Sequence, residues 1–184
     1  ELAEGLDLRE WSCAMSGAEP IRPETLERFA RAFAPYGFEA RAFQCVYGLA
    51  EGTLLATGAR HSKRGPTIRT LDAAALKQGE VRDGAPEAPG SKRVVGLGMA
   101  PDGVEVAIVE PQQRRRCAPD QVGEIWLSGD SVTQGYWKRP EQSEVTFRAR
   151  LADGSPSAWL RTGDLGFLSD DVLYFVGRTK DLII

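Results

Sequence analysis

Residues 159–184 read WLRTGDLGFLSDDVLYFVGRTKDLII, and this stretch most constrains what the chain can fold into. Two apolar runs flank a polar turn at residues 169–171, and the second run, 172–176, predicts a buried strand. Two strands joined by a short turn form a hairpin. We expect this hairpin to bring the carboxylate of Asp164 close to the guanidinium of Arg178.

The pair of Asp164 and Arg178, here called the diol clamp, suits a ligand with two neighbouring hydroxyls. A carboxylate accepts hydrogen bonds and a guanidinium donates them, so together they can hold a diol such as a ribose. Asp164 lies between Gly163 and Gly166, which predicts a tight bend that glycine permits. The alternative is a turn aspartate and a surface arginine that form a simple ion pair. The residues alone leave both interpretations open.

The composition is that of an ordinary globular protein and excludes several classes of function. The chain has 184 residues, 42% of them hydrophobic and 27% charged, which fits one domain with a sizeable core. The net charge of −3 gives no basic footprint for nucleic acid or anionic membrane. No apolar run approaches 18 residues and no signal-peptide pattern opens the chain, so we expect no membrane insertion.

The cysteines and the histidine argue against metal or triad chemistry. Cys13, Cys45 and Cys117 are odd in number and far apart, which fits neither a zinc site nor a disulfide framework. Free thiols are typical of a reducing compartment, and we expect a cytoplasmic protein. The single histidine, His61, lies in a polar stretch, so a histidine-based triad is not expected.

The first part of the chain, residues 1–58, has the pattern of an α/β unit. Residues 8–15 form a strand candidate, residues 23–36 an amphipathic helix begun by proline, and residues 42–46 a second short strand. In such sheets ligands bind at the loops beyond the carboxyl ends of the strands.

Residues 59–95 are rich in Gly, Pro, Lys and Arg and predict a connection. A short helix at residues 72–77 is expected within it, with Asp72 as its cap. The connection is long for an unstructured segment in a compact domain, so we expect a functional insertion or a mobile segment.

Residues 96–184 predict a β-rich unit. Alternating apolar residues at 104–108 and a strand at 123–128 suggest an antiparallel sheet or a small barrel, and residues 140–147 suggest a short helix. The chain begins without methionine and ends with three apolar residues, 182–184, so we expect a segment of a longer polypeptide.

Two further motifs, SGAEP at residues 16–20 and YGLAE at residues 47–51, each follow an apolar run. Tyr47 offers a flat face that can stack on a purine, and Gly17 and Gly48 allow a planar ligand to approach the backbone. Glu51 is a hard oxygen ligand suited to Mg²⁺. With the diol clamp, these residues would hold an adenosine nucleotide and its metal. Taken singly, each has a plainer interpretation as a loop, a strand-to-helix turn or a first-turn helix acid.

Three of these segments, residues 47–51, 123–147 and 159–184, resemble the adenylate-forming enzymes. That superfamily includes acyl-CoA ligases, luciferases and nonribosomal-peptide adenylation domains. Residues 16–38 and 47–58 look like the fatty acyl-AMP ligases, which load fatty acids onto acyl-carrier proteins of polyketide or lipopeptide pathways. The resemblance runs from residue 8 to residue 184.

The resemblance implies a fold and a set of site residues. The fold would be α/β plus β: the tail of an α/β sheet subdomain, followed by a distorted antiparallel β-barrel subdomain that ends at a hinge to a C-terminal domain. Glu51 would bind Mg²⁺, and Lys180 would be the hinge residue. Many relatives have Thr before this glutamate, where Ala50 stands here. The implied nucleotide-binding residues are Gly17, Ala18, Glu19, Tyr47, Gly48, Ala50, Asp164 and Arg178.

The resemblance also implies a reaction that uses ATP and Mg²⁺. The intact protein would convert a fatty acid and ATP into acyl-AMP and pyrophosphate, then pass the acyl group to the phosphopantetheine of an acyl-carrier protein. The phosphate loop is expected upstream of Glu1 and the catalytic lysine downstream of Ile184, so residues 1–184 alone would be inactive. The excess length within residues 67–95 resembles a wedge that hinders the use of CoA, or is a surface loop. The alternatives are a long-chain acyl-CoA ligase and a non-catalytic module that docks a carrier protein.

Overall fold

The structure, a computed structural model, describes residues 4–58, 65–86 and 88–181. His61 and the apolar residues 182–184 lie outside the described residues. None of the helices in these described ranges is both long and apolar enough to cross a bilayer.

The N-terminal part is a small α/β unit. Its elements are β1 (Ala14–Ser16), α1 (Pro23–Phe33), β2 (Phe43–Tyr47) and β3 (Thr57–Gly58). β1 and β2 pair in parallel through the crossover helix α1, which agrees with the predicted α/β pattern, and β3 pairs antiparallel with β2. Pro23 opens α1, where its missing N–H costs nothing, and Leu26 lies on the buried face.

The strand predicted over residues 8–15 is wrong for most of its length, because only Ala14–Ser16 is extended into the sheet. The residues before it pack as a loop against the end of α1. Leu8 N–H donates to the carbonyl of Tyr36, and the Trp11 ring meets the ring of Phe38 edge to face at 5.5 Å. These contacts hold the segment against the neighbouring residues without strand pairing.

The middle segment is more ordered than the sequence suggests. It contains β4 (Ile68–Asp72), α2 (Ala73–Lys77) and β5 (Ser91–Val95). The Asp72 carboxylate accepts from the backbone N–H groups of Ala74 and Ala75, which confirms the predicted cap. β4 and β5 pair antiparallel and Leu71 is fully buried, so the described part of this segment is not an unstructured connection.

The C-terminal part is the predicted antiparallel β unit. Its elements are β6 (Val104–Glu110), β7 (Arg115–Arg116), β8 (Gly123–Gly129), α3 (Pro140–Phe147), β9 (Leu160–Ser169) and β10 (Val172–Arg178). Within the described ranges the strand order of this sheet is β10-β9-β8-β6-β7. The predicted final hairpin is confirmed, with Asp170 and Asp171 in the left-handed conformation that tight hairpin turns require.

Residues 96–99 connect the N-terminal α/β unit to the C-terminal β unit. Leu97 N–H donates to the carbonyl of Leu173 at 2.7 Å, and Leu173 N–H donates to the carbonyl of Gly98 at 3.0 Å. Met99 bridges to Gly58 at the end of β3. A single apolar cluster therefore draws buried residues from β2, β8, β9 and β10, and the carboxyl end of β2 lies beside the final hairpin.

Candidate functional site

The site is built where β2 ends against the hairpin of β9 and β10. Asp164 and Arg178 are paired across the two strands, and Arg178 Nε lies 3.3 Å from Oδ1 of Asp164. The Tyr47 hydroxyl donates to Oδ2 of the same carboxylate at 2.7 Å. The predicted proximity of the diol clamp is confirmed, and Tyr47 joins it from a different part of the chain.

The backbone that carries Asp164 differs from the predicted bend. Asp164 lies within strand β9, and the bend is a bulge at which the pairing of β8 and β9 shifts register. Gly163 takes φ +73° in this bulge, a left-handed conformation that glycine accepts without strain. A bulge changes the direction of the side chains around it, so this bulge explains why the Asp164 side chain points towards Tyr47 and Arg178.

A buried carboxylate holds the bulge in place. Glu124 on β8 accepts from the backbone N–H of Gly163 at 3.1 Å and from Arg161 Nη2 at 2.9 Å. The Glu124 side chain is only 4% exposed, so these partners offset the cost of burying it. The hydroxyl oxygen of Thr162 also accepts from the N–H of Asp164. The position of Asp164 is therefore fixed by side chains outside the diol clamp.

The electrostatics of the site follow from burial. Burial raises the pKa of Asp164, and the Tyr47 hydrogen bond and the Arg178 charge oppose this rise without cancelling it. Burial and the nearby carboxylate also raise the pKa of Tyr47, so its hydroxyl remains a donor at neutral pH. Asp164 is 8% exposed, and its hydrogen-bonding capacity is directed towards its neighbours and the adjoining cleft.

The cleft next to this cluster has a volume of about 730 Å³, within the range of small-molecule sites. It lies between the loop after β1, the end of β2, strand β5 and the end of β10. The predicted site residues that line it are Ala18, Glu19, Tyr47, Gly48, Asp164 and Arg178. Gly17, Ala50, Glu51 and Lys180 are not among the described residues that line it.

Close packing explains why positions 17 and 48 are occupied by glycine. A Cβ on Gly48 would lie 1.6 Å from the carbonyl oxygen of Leu54, and one on Gly17 would lie 2.6 Å from Cγ2 of Val46. Gly48 therefore permits the backbone contact that closes the turn after β2. Gly17 lies behind the lining of the cleft and lets the loop after β1 pack on β2.

Strand β5 forms a wall of the cleft that the sequence did not predict. Residues 92–95 line it, and Lys92 Nζ donates to the carbonyl of Val176 at 3.3 Å. Arg93 donates to Glu27 and, at 3.4 Å, to Glu24 on α1. The middle segment thus ties α1 to the hairpin that carries Arg178.

Glu51 belongs to a neighbouring cluster beside the cleft. It lies in the 3₁₀ turn Ala50–Gly52, and its Oε1 accepts from the hydroxyl of Tyr136 at 2.7 Å. Desolvation and the carboxylate raise the pKa of Tyr136 to about 12, so the hydroxyl stays a donor. The charge of Glu51 also makes a small contribution to the raised pKa of Asp164.

Tyr136 was not among the residues singled out from the sequence. It follows Gly135 in an aromatic loop just before the proline that opens α3, and this arrangement could have indicated a half-buried, anchored phenol. Its partner is 85 positions away, so no local pattern could have named Glu51.

The donor set can be tested for Mg²⁺. Among the described residues no group of three or more His, Cys, Asp or Glu side chains could hold a metal by itself. Glu51 offers one carboxylate, and one of its oxygens already accepts from Tyr136. This fits the usual mode of Mg²⁺ binding to nucleotides, in which one or two carboxylates join phosphate oxygens and water.

Comparison with known proteins gives consistent results. The profile of the family described as "AMP-binding enzyme" matches residues 2–137. The chain is 44% identical to the medium-chain-fatty-acid–[acyl-carrier-protein] ligase JamA of Moorena producens (strain JHB), over all of this chain and 31% of that protein. It is 41% identical to the long-chain-fatty-acid–AMP ligase FadD26 of Mycobacterium tuberculosis (strain ATCC 25618 / H37Rv), over 98% of this chain and 31% of that protein.

A solved structure agrees with the fold. The fatty acyl-adenylate ligase of L. pneumophila, in complex with acyl adenylate and pyrophosphate, superposes with a TM-score of 0.90 at 44% identity. The match covers 98% of this chain and 31% of that one. The chain therefore spans about a third of the length of the proteins that it matches.

Proposed function

Because this chain belongs to the AMP-binding enzyme family, we propose that the protein containing it activates a fatty acid with ATP, giving acyl-AMP and pyrophosphate. We propose further that the acyl group then passes to the phosphopantetheine thiol of an acyl-carrier protein. The names of the relatives support a fatty acid and, for JamA, a carrier protein. Since the chain spans 31% of their length, the proposal concerns the whole protein.

The observation that carries this proposal is the meeting of Tyr47, Asp164 and Arg178 at one cleft. In the proposed complex the carboxylate of Asp164 accepts from ribose hydroxyls and the guanidinium of Arg178 donates to them. The adenine lies against Tyr47 and the backbone at Gly48 and in the loop after β1. The proposed adenine-binding residues of that loop are Ala18 and Glu19, and Gly17 lies behind them and lets the loop pack on β2.

Glu51 is the proposed Mg²⁺ ligand. The ion would neutralise charge on the phosphates of ATP while the carboxylate of the fatty acid attacks the α-phosphate. Ala50 brings a methyl group next to this position and no hydroxyl donor for the phosphate. Lys180, exposed in the 3₁₀ turn Thr179–Asp181 directly after β10, is the proposed hinge residue. The free thiols of Cys13, Cys45 and Cys117 support a reducing, cytoplasmic setting.

The experiment is ATP–pyrophosphate exchange by the intact protein with a series of fatty acids. We expect exchange with the wild type, and a loss of about 100-fold in Asp164→Asn because a charged hydrogen-bond partner of the ribose is removed. Asp170→Asn is the matched control, since Asp170 lies in an exposed turn where Asn also tolerates positive φ. Failure of the wild type to exchange with any fatty acid would overturn the proposal.

The choice of acceptor separates this proposal from an acyl-CoA ligase. Supplying either CoA or a phosphopantetheinylated carrier protein to the acyl-AMP form identifies the thiol that is acylated. A preference for CoA would replace the proposed second step. Binding of a carrier protein with no exchange would indicate a non-catalytic docking module.

We also propose that residues 1–184 do not catalyse the exchange alone, because the chain spans only 31% of the length of its relative JamA. Exchange by the purified segment at a rate near that of the intact protein would contradict this.

A further inference from the structure

Glu51 is attached at both its side chain and its backbone to the loop between β8 and α3, residues 130–139. The Tyr136 hydroxyl donates to Oε1 of Glu51 at 2.7 Å, and Thr133 N–H donates to the Glu51 carbonyl at 2.8 Å. Close by, the Thr53 hydroxyl donates to the carbonyl of Ser131 at 2.5 Å. The turn that carries Glu51 is therefore held by a loop from the other part of the chain.

Tyr136 is itself rigidly held by α3. Its backbone N–H donates to Oγ of Ser143 at 2.8 Å, and its ring meets the ring of Phe147 edge to face at 5.0 Å. Gly135 takes φ +141°, and a Cβ there would lie 2.7 Å from Oγ of Ser143. A side chain at position 135 would thus push the loop away from α3. These contacts define where the Tyr136 hydroxyl lies before any ligand binds.

A hydrogen-bond donor held in place on one oxygen of a carboxylate determines where the second oxygen of that carboxylate points. With Oε1 of Glu51 accepting from Tyr136, rotation of the carboxylate breaks that bond. Oε2 accepts no hydrogen bond from the rest of the described chain and is the oxygen that can bind a ligand. Groups that orient metal-binding carboxylates in this way typically change metal affinity or activity by about 10- to 100-fold when removed.

We propose that Tyr136 is a positioning residue that acts through Glu51 and presents Oε2 of Glu51 to the divalent cation of the bound nucleotide. This inference rests on the proposed function, since it takes Glu51 as the metal ligand. It adds a residue from the aromatic loop, and it explains why that loop is anchored so closely to the turn at Ala50–Gly52.

The test is Mn²⁺ binding to the intact protein in the presence of a non-hydrolysable ATP analogue, followed by electron paramagnetic resonance. Tyr136→Phe keeps the ring on Phe147 and removes only the hydroxyl. We expect its Mn²⁺ affinity to fall about 10-fold, with AMP affinity in EDTA unchanged. Tyr174→Phe is the control, because Tyr174 lies on β10, stacked on Phe167, and is not among the described residues that line the cleft.

A double-mutant cycle with Glu51→Gln separates positioning from a general effect on stability. If Tyr136 acts through Glu51, adding Tyr136→Phe to Glu51→Gln causes no further loss of Mn²⁺ affinity. Additive losses, or wild-type Mn²⁺ affinity in Tyr136→Phe, would overturn the inference while leaving the proposed function intact. A wild type that binds no Mn²⁺ with the nucleotide, or a Glu51→Gln variant with unchanged metal binding, would overturn the assigned role of Glu51 and this inference with it.

Discussion

The hydroxyl of Tyr47 donates a 2.7 Å hydrogen bond to Oδ2 of Asp164, 117 positions further along the chain. This bond joins the last residue of β2 to the bulge of β9, so it connects the α/β part to the antiparallel part inside the candidate site. It also supplies a buried carboxylate with one of its few donors.

Replacing Tyr47 by Phe should destabilise the protein by about 2 kcal/mol at neutral pH, because a buried carboxylate loses a hydrogen bond. Urea unfolding at pH 7 measures this change. Tyr174→Phe is the control and should change the urea midpoint little. An unchanged midpoint in Tyr47→Phe would mean that the hydrogen bond contributes nothing to folding.

The stability of the protein should depend on the ionisation of Asp164. Its pKa in the folded state is raised above the ordinary value of 3.8. The folded state therefore binds this proton more tightly than the unfolded state does. The protonated carboxyl of Asp164 stabilises the fold at pH values below the unfolded pKa, and this stabilisation is lost as the pH rises through the folded pKa. We expect the stability of Asp164→Asn relative to wild type to increase between about pH 4 and pH 7. A difference that stays constant or falls over this range would contradict the prediction.

Arg161 should matter for stability more than its partial exposure suggests. Arg161→Leu leaves Glu124 as a buried charge without its cation and should cost about 3 kcal/mol. The double variant with Glu124→Gln should recover part of that loss. Arg148→Leu, which breaks the exposed pair with Glu144, is the control and should stay within about 0.5 kcal/mol. Equal losses in Arg161→Leu and Arg148→Leu would show that Arg161 is not needed to compensate the buried charge of Glu124.

Arg178 should act on ligand binding rather than on folding. Its side chain is 65% exposed, so its ion pair with Asp164 contributes less than about 1 kcal/mol to stability. Arg178→Ala should nevertheless weaken AMP binding to the intact protein by about 10-fold, because the proposed charged donor to the ribose is lost. Calorimetric titration measures the affinity. Arg82→Ala, at an exposed pair with Glu80, should leave the affinity unchanged.

Gly48 should tolerate no side chain. A Cβ there would overlap the carbonyl of Leu54, and backbone atoms cannot move aside as a flexible side chain can. We expect Gly48→Ala to cost about 3 kcal/mol. Gly103→Ala is the matched control for adding a methyl group in open space, although its positive φ will itself cost about 1 kcal/mol. Thermal unfolding of both variants compares them, and a smaller loss at Gly48 would contradict the packing argument.

Local patterns in the sequence were enough to predict many elements. The periodicity of α1, the cap at Asp72 and the polar turn of the final hairpin each follow from interactions within a few residues. The proximity of Asp164 and Arg178 was predictable for the same reason, because a hairpin fixes which residues face each other.

Features that depend on distant partners were not predictable from those patterns. The bulge at Gly163 needs the carboxylate of Glu124 on another strand, and the role proposed for Tyr136 needs Glu51. The order of the middle segment arises because β4 and β5 pair with each other and bury Leu71, although their composition resembles that of a loop. The binding roles of the site residues remain predictions.

Because β5 forms a wall of the cleft, deleting the middle segment is a poor way to study which thiol accepts the proposed acyl group. Removing the whole of residues 67–95 would take Leu71, Val94 and Val95 out of the interior and detach Arg93 from α1. Such a deletion would damage the cleft and the fold together, so it could not test whether these residues affect the proposed choice of thiol. A useful shortened variant keeps both strands and the helix α2, and shortens only the connection between α2 and β5.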